Sequence, residues 1–563
     1  MPRQLVILNN GLRDHCGHYF ETSISVAEAA RRAGWRPVLA THVECRPELL
    51  PDGLDAYPLF RTDHWMDQPP AELGAANTAV REAGVSFAER KTTMSAERKE
   101  TLQAVRTAAA GGIYRPERHL AQSLCQAWRL GRRCCWAGQR AAFYLLPPAL
   151  DEAARWFAKG CIPRILRRQY RAPLRARLVQ WVEALRRSDR NDAVRLAGMP
   201  HLAQALRDPA RSGLVAAMLA ALAPDQAREI EYGLVFLDDL ERLLSLTGAA
   251  AGDHVLLGTA HAREVLAVCL VAQRWGARSP TFHLEFRHSL FRCEPTQAEF
   301  EHAPLVRMYR AFLSLAERDG CREHVRFYTD TEELSGDYQL LAGRPVGVLP
   351  IPFRGEHIRP VVRRPGEPLR LAYLGEARDE KGFPYLPGLV DRLYKNYFRN
   401  GRARLLVQAN VSAPQFNPLS AASLDRLKRF PIESVELLGL DAPLTPEDYY
   451  ALVSRADVVL LPYERNRYRA CSSGTLAEAL AGGRPVVAPA RSWMSAQLPP
   501  GAGEVFYDEA SFCDAVERLI EHYDEYRARA EAHAAAWRAK HSPDALVAAL
   551  VGAAQSEPAS LAA

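Results

Sequence analysis

Short, wholly apolar runs alternate with longer stretches whose apolar residues recur every three to four positions, at both ends of the chain but not in its middle. The run Leu5-Val-Ile-Leu8 has the length and composition of a buried parallel strand. A glycine-containing loop from Asn9 to Gly17 follows. Phe20, Ile24, Ala27, Ala30 and Ala33 then share one face of a helix that stops at Gly34. Residues 37–40 and 57–60 give two more strands, and strand–helix–strand with short connections predicts a sheet with helical crossovers. Near Trp65 the alternation ceases. Residues 66–247 carry almost only helical signals and read as a large helical insertion, closing on an amphipathic helix at 235–244.

The alternation resumes with a strand at 255–257, a helix at 262–275, strands at 279–283, 325–329 and 346–349, and a helix at 332–341. Residues 352–368 crowd Pro, Gly and Arg together, the composition of a linker. A second alternating unit supplies strands at 369–374, 404–407, 435–438, 458–461, 485–488 and 504–506. A charged helix over 511–540 and an Ala-rich tail over 541–563 complete the chain. The expectation is an α/β protein of two Rossmann-like domains facing a cleft, 1–65 with 248–352 and 369–540, the first interrupted by the helical insertion.

Composition changes this picture in one place. The net charge of +6 is not spread evenly: from Arg155 to Arg190 eleven cations stand against two acids, so the rest of the chain is slightly acidic. Trp156, Phe157, Ile162, Ile165, Tyr170 and Trp181 interleave with those cations, which suits an anionic membrane surface. An acidic polymer, a partner protein or a simply solvated helical face fits as well, and Pro163 and Pro173 break the run into short helices. No apolar run approaches the ~18 residues that span a bilayer, and the opening residues lack a signal peptide's apolar core. The eleven cysteines form no CxxC pair, so reduced thiols in a cytoplasmic protein are expected, peripheral on the membrane's inner face if the basic run binds lipid.

Two stretches carry candidate chemistry. In residues 374–383 (LGEARDEKGF) a strand ends, Gly375 permits a tight turn, and Arg378 and Lys381 precede a helix. Ligands of open α/β sheets sit beyond the carboxyl ends of strands, and two cations there can hold a diphosphate. Alternatively Asp379 and Glu380 neutralise both cations within a solvated turn. In the second stretch a strand ends at Pro462-Tyr463. Ser472, Ser473, Gly474 and Thr475 then open a helix whose free amides suit an anion. Glu478, one turn in, can accept from ribose hydroxyls. Equally, Thr475-x-x-Glu478 fits a capping box, which would make Glu478 structural. A GxGxxG fingerprint is absent, so no bound dinucleotide is expected.

Together GxxRxxKG and P-Y…S-S-G-x-x-x-E-A…G-G-x-P-V-V resemble, in order and separation, the donor-binding domain of retaining GT-B glycosyltransferases of the family 4 type. The resemblance spans roughly residues 369–540. It implies glycosyl transfer from a nucleoside diphosphate sugar, with retention and with neither metal nor cofactor. Arg378 and Lys381 would stabilise the β-phosphate, the 472–475 helix start would add amides, Glu478 would hold the ribose, and Gly375 and Tyr463 would complete the donor site. The family often has a second glutamate eight residues before Glu478; Ala470 stands there in this chain, which leaves the sugar open. On the acceptor side, Gly17 and His18 lie in the loop after the first strand. His261 begins a helix where similar enzymes have an active-site histidine, and the helix start would favour its neutral form; a helix cap is the alternative. Glu285, Arg287 and His288 form a polar cluster after another strand. The acceptor is left open; a lipid-linked or envelope glycan would suit the basic run, in carbohydrate or cell-envelope biosynthesis, and no nucleic acid partner is expected. Two other readings stand beside the active transferase: a catalytically silent GT-B module that binds a nucleotide sugar, and a nucleotide-sugar epimerase on a similar fold.

Overall fold

The computed structural model describes residues 3–62 and 199–552, apart from 15–17, 47, 49, 223–225, 292–294, 297–299, 301, 361–362, 365, 411–416, 441 and 443. Gly17, the basic run from Arg155 to Arg190 and most of the segment read as an insertion lie outside the described residues.

Seven parallel strands form the first sheet: β1 (Gln4–Asn9), β2 (Arg36–His42), β3 (Asp55–Phe60), β4 (His254–Leu257), β5 (Thr281–Phe286), β6 (Val325–Thr329) and β7 (Gly347–Val348). Their spatial order is β3-β2-β1-β4-β5-β6-β7. Six more form the second: β8 (Leu369–Tyr373), β9 (Ala403–Gln408), β10 (Val435–Leu438), β11 (Val458–Leu460), β12 (Val486–Pro489) and β13 (Gly503–Phe506). They lie in the order β10-β9-β8-β11-β12-β13, again all parallel. Each sheet reverses its winding once, between β1 and β4 and between β8 and β11. Beyond the carboxyl ends of the strands flanking such a reversal the crossovers part and leave a crevice.

The strands are apolar on both faces because helices cover both. In the N-terminal domain α1 (His18–Arg32) packs on one face. The other carries α2 (Ala227–Thr247), α3 (Ala262–Trp275) and α4 (Glu332–Ala342). Ile230, Leu234, Leu237, Leu240 and Leu244 of α2 enter the same core as Val255 and Leu257 of β4. The described end of the segment read as an insertion is thus part of the N-terminal core, because its apolar stripe needs a sheet to cover.

In the C-terminal domain, α5 (Pro418–Leu427), α6 (Pro446–Arg455), α7 (Gly474–Ala481), α8 (Glu509–Glu521) and α9 (Tyr523–Lys540) alternate with the strands. The helix expected over 511–540 is two helices parted at His522. The chain then crosses back to the N-terminal domain. Residues 543–552, expected as tail, form α10 (Pro543–Gly552). Its Leu546, Val547 and Leu550 pack with Ile24 and Ala27 of α1, and Asp544 pairs with Arg32 at 3.0 Å. At the crossing, buried His541 accepts the Ile351 N–H at Nδ1, 3.1 Å away, so the outward and return passages lie side by side. Among the described residues no helix is long and apolar enough to cross a membrane.

Candidate active site

The candidate donor residues gather at the β8/β11 reversal. The loop after β8 turns at Gly375, whose φ of +94° is a backbone conformation that favours glycine. Its N–H donates to Oε1 of Gln408 at 2.6 Å. Lys381 folds back over this turn. A Cβ added to Gly375 would lie 3.2 Å from Lys381 Nζ and 3.9 Å from Thr475 Oγ1, so the cation of one loop and the helix start of the other meet at one point. Tyr463 forms the floor: the ammonium stands 5.9 Å from its ring centroid, and its hydroxyl lies beside those of Ser473 and Thr475.

Gly382 makes the convergence possible. Its φ is +68°, and an added Cβ would sit 1.7 Å from the Pro462 carbonyl oxygen. The two loops touch backbone to backbone because residue 382 has no side chain.

The cations are unequally neutralised. Arg378 is held by Glu376 at 3.3 Å and Glu380 at 3.4 Å. Asp379, one of the acids weighed as a neutraliser, instead caps α5, accepting from Ser420 N and Oγ, both at 2.7 Å. Lys381 has no carboxylate within salt-bridge distance among the described residues. Burial, reinforced by the Arg378 charge, brings its ammonium down to about 8.

Helix α7 is capped by Ser473, whose Oγ accepts the Leu476 N–H at 3.2 Å. Glu478 therefore does not close a capping box with Thr475. One of its oxygens accepts from the Tyr449 hydroxyl at 2.5 Å. Burial, with a smaller push from Glu21, raises its carboxyl to about 7. Ser472 turns the other way, donating to Asp330 Oδ2 at the end of β6. Ala470, where the family often has a glutamate, is fully buried in the N-terminal core.

On the opposite side, His18 opens α1 after β1. His261 begins α3 after β4, with its backbone N–H bound by Glu264 Oε2 at 2.8 Å, and its ring stacks on His288 at 4.9 Å. Burial, then the charges of Arg287 and Arg467, bring His288 down to about 4, which keeps that ring neutral at physiological pH. Glu285 is fully buried and pairs with Arg287 at 2.9 Å; burial raises it to about 7. Sequence reasoning missed Tyr449, Gln408 and Asp330. Gln408 had left a signal, a polar end to an apolar strand facing the turn at Gly375. Tyr449 had left none.

Residues 421–552 match a family model described as glycosyl transferase-like. No curated protein matches the chain. Among solved structures, the sucrose-phosphate synthase of Thermosynechococcus elongatus aligns over 98% of both chains, with a TM-score of 0.50 and 12% identity. Anabaena HepE in complex with UDP and glucose aligns over 57% of this chain and 82% of its own, at 14% identity and a TM-score of 0.42. A UDP-forming trehalose-phosphate synthase from Burkholderia xenovorans aligns over 60% and 80%, at 12% identity and 0.44. The chain shares the two-domain fold of the first of these.

Proposed function

We propose that this chain, a glycosyltransferase by its GT-B fold and its C-terminal sequence, moves a sugar from a nucleoside diphosphate sugar to a hydroxyl-bearing acceptor. The observation that carries this is the meeting of Lys381 with the start of α7 at Gly375. Negative charge grows on the diphosphate as the sugar departs. A fixed ammonium and amides already aimed there favour the transition state over the ground state. Arg378 adds a second cation to Lys381, and Glu478, with one oxygen taken by Tyr449, offers the other to the ribose. His261 and Glu285 lie on the acceptor side. Retention and independence of metal follow the resemblance to the family 4 type and belong to the proposal, as does an envelope or lipid-linked acceptor.

The test is consumption of a panel of nucleotide sugars, read as nucleoside diphosphate released with and without added acceptors. Release that requires an acceptor supports transfer. If no donor is consumed and no nucleoside diphosphate binds, the proposal fails. Binding without turnover would instead indicate the silent module, which the lack of a carboxylate at Ala470 favours.

A pH profile gives a sharper check. Glu478 carries its charge only above about 7 and Lys381 only below about 8. The kcat/KM for donor, which reports the free protein, is therefore expected to rise through pH 7 and fall through pH 8. Glu478→Gln should remove the acid limb, and Lys381→Arg should shift the alkaline limb upward. A flat wild-type profile from pH 6 to 9 would show that neither charge matters.

A further inference from the structure

The segment entering α7 is fastened to the opposite domain. Ser472 Oγ donates to Asp330 Oδ2 at 2.5 Å, Thr331 Oγ1 donates to the Ala470 carbonyl at 2.7 Å, and Arg469 pairs with Asp337 at 2.9 Å. Residues 469, 470 and 472 of one loop are thus held by a single stretch running from the end of β6 into α4, while Ala470 is sealed into the N-terminal core. Two of the three partners on the N-terminal side are themselves buried, Asp330 at 3% exposed and Thr331 fully enclosed, and Asp337 is half-buried.

Asp330 is an expensive way to fasten a serine. Burial raises its carboxyl above the usual range, against the pull of Arg287 and Ser472. Its Oδ1 has no hydrogen-bond partner among the described residues, and Arg287 Nε stands 3.9 Å from Oδ2. Glu285 Oε1, on the other side of Arg287, is likewise unpartnered among the described residues. Two buried acids share one guanidinium, an arrangement that packing alone does not require.

The fastening lies directly beside the candidate donor site. Ser473, the next residue, is the cap of α7, and Thr475 is the group that meets Lys381. The preceding residues 464–466 are exposed loop. A free loop would have to be ordered each time a diphosphate bound, which weakens binding; a loop already held loses less on binding. We propose that Asp330 is a positioning residue for donor binding: through Ser472 it holds the amide-rich start of α7 in place, so that the N-terminal domain sets the affinity of the C-terminal domain for the diphosphate. This rests on the assignment of the diphosphate to the α7 start. It gives the Ser472 hydroxyl a partner in the protein rather than in the donor.

The experiment is calorimetric titration of the full chain with UDP, GDP and ADP, using whichever nucleotide the wild type binds, together with donor kinetics. Asp330→Ala and Ser472→Ala are each expected to weaken that nucleotide about tenfold. The double variant should be no weaker than either single one, because both break the same link. Asp330→Asn, which keeps an oxygen for Ser472, should stay within threefold of wild type. The loss should fall on KM for the donor rather than on kcat. Additive losses would mean that Ser472 contacts the donor independently and would overturn the proposal, as would unchanged affinity in Ser472→Ala, a mild substitution that keeps the test valid should Asp330→Ala misfold. Lys381→Ala separates the two claims. If it abolishes binding while Ser472→Ala does not, the donor site stands and the fastening falls; if the wild type binds none of the three nucleotides, both fall.

Discussion

Lys381→Ala is expected to lower kcat/KM for the donor at least a hundredfold, about 3 kcal/mol of transition-state stabilisation, while leaving the unfolding midpoint unchanged or slightly raised. The two halves of this expectation have one cause. The ammonium is buried next to Arg378, and its environment disfavours the charged form until an anion arrives. Below about pH 8 the folded protein holds this charge out of water while the unfolded chain carries it solvated, so removing the side chain relieves the fold as it disables the site. Arg378→Ala should also lower turnover, but Glu376 would then lose its partner and Glu380 would keep only Arg467 at 3.8 Å, and stability should fall with it. Donor kinetics and urea unfolding on the same preparations separate the variants. Near-normal turnover in both would place the diphosphate elsewhere.

Gly382→Ala should do damage of another kind. A methyl group at 1.7 Å from the Pro462 oxygen cannot be accommodated, so the β8 and β11 loops must move apart. Forced overpacking costs ~1–3 kcal/mol, and a left-handed conformation without glycine adds of order 1 kcal/mol. Donor affinity should fall more than tenfold, and unfolding should become easier by ~2–4 kcal/mol. Gly401→Ala is the control. Gly401 has nearly the same φ, +70°, but nothing lies within 4 Å of its would-be Cβ, so only the backbone strain of about 1 kcal/mol should appear and donor binding should be spared. Equal effects at the two positions would show that the close approach at 382 is unimportant.

The elements most legible in the sequence were those whose partners do not matter to their pattern. A strand buried on both faces is apolar whatever covers it, so β6 coincides with the run that predicts it, as does helix α3. Helix α10 escaped notice because PDALVAALVG has little polar contrast around its circumference, and the surface that makes it a helix, α1, lies some five hundred residues away. The same division runs through the candidate site. Gly375 and Lys381 stand six residues apart, and a turn brings them together; their spacing could be read. That Ser472 faces Asp330, 142 positions earlier, or that Tyr449 rather than a helix cap engages Glu478, depends on how separate crossovers stack, which no local pattern records. Asp379 shows how proximity in sequence misleads: it adjoins Arg378, yet it serves the start of a helix forty residues on.

The crossing of α10 back to α1 also constrains biosynthesis. Ile24 and Ala27 are covered by Leu546, Val547 and Leu550, translated some five hundred residues later. Until those residues emerge, the strip of α1 that α10 covers is left without that partner, and such strips invite chaperones or aggregation. The N-terminal domain therefore gains its last covering helix only after the C-terminal domain has been translated.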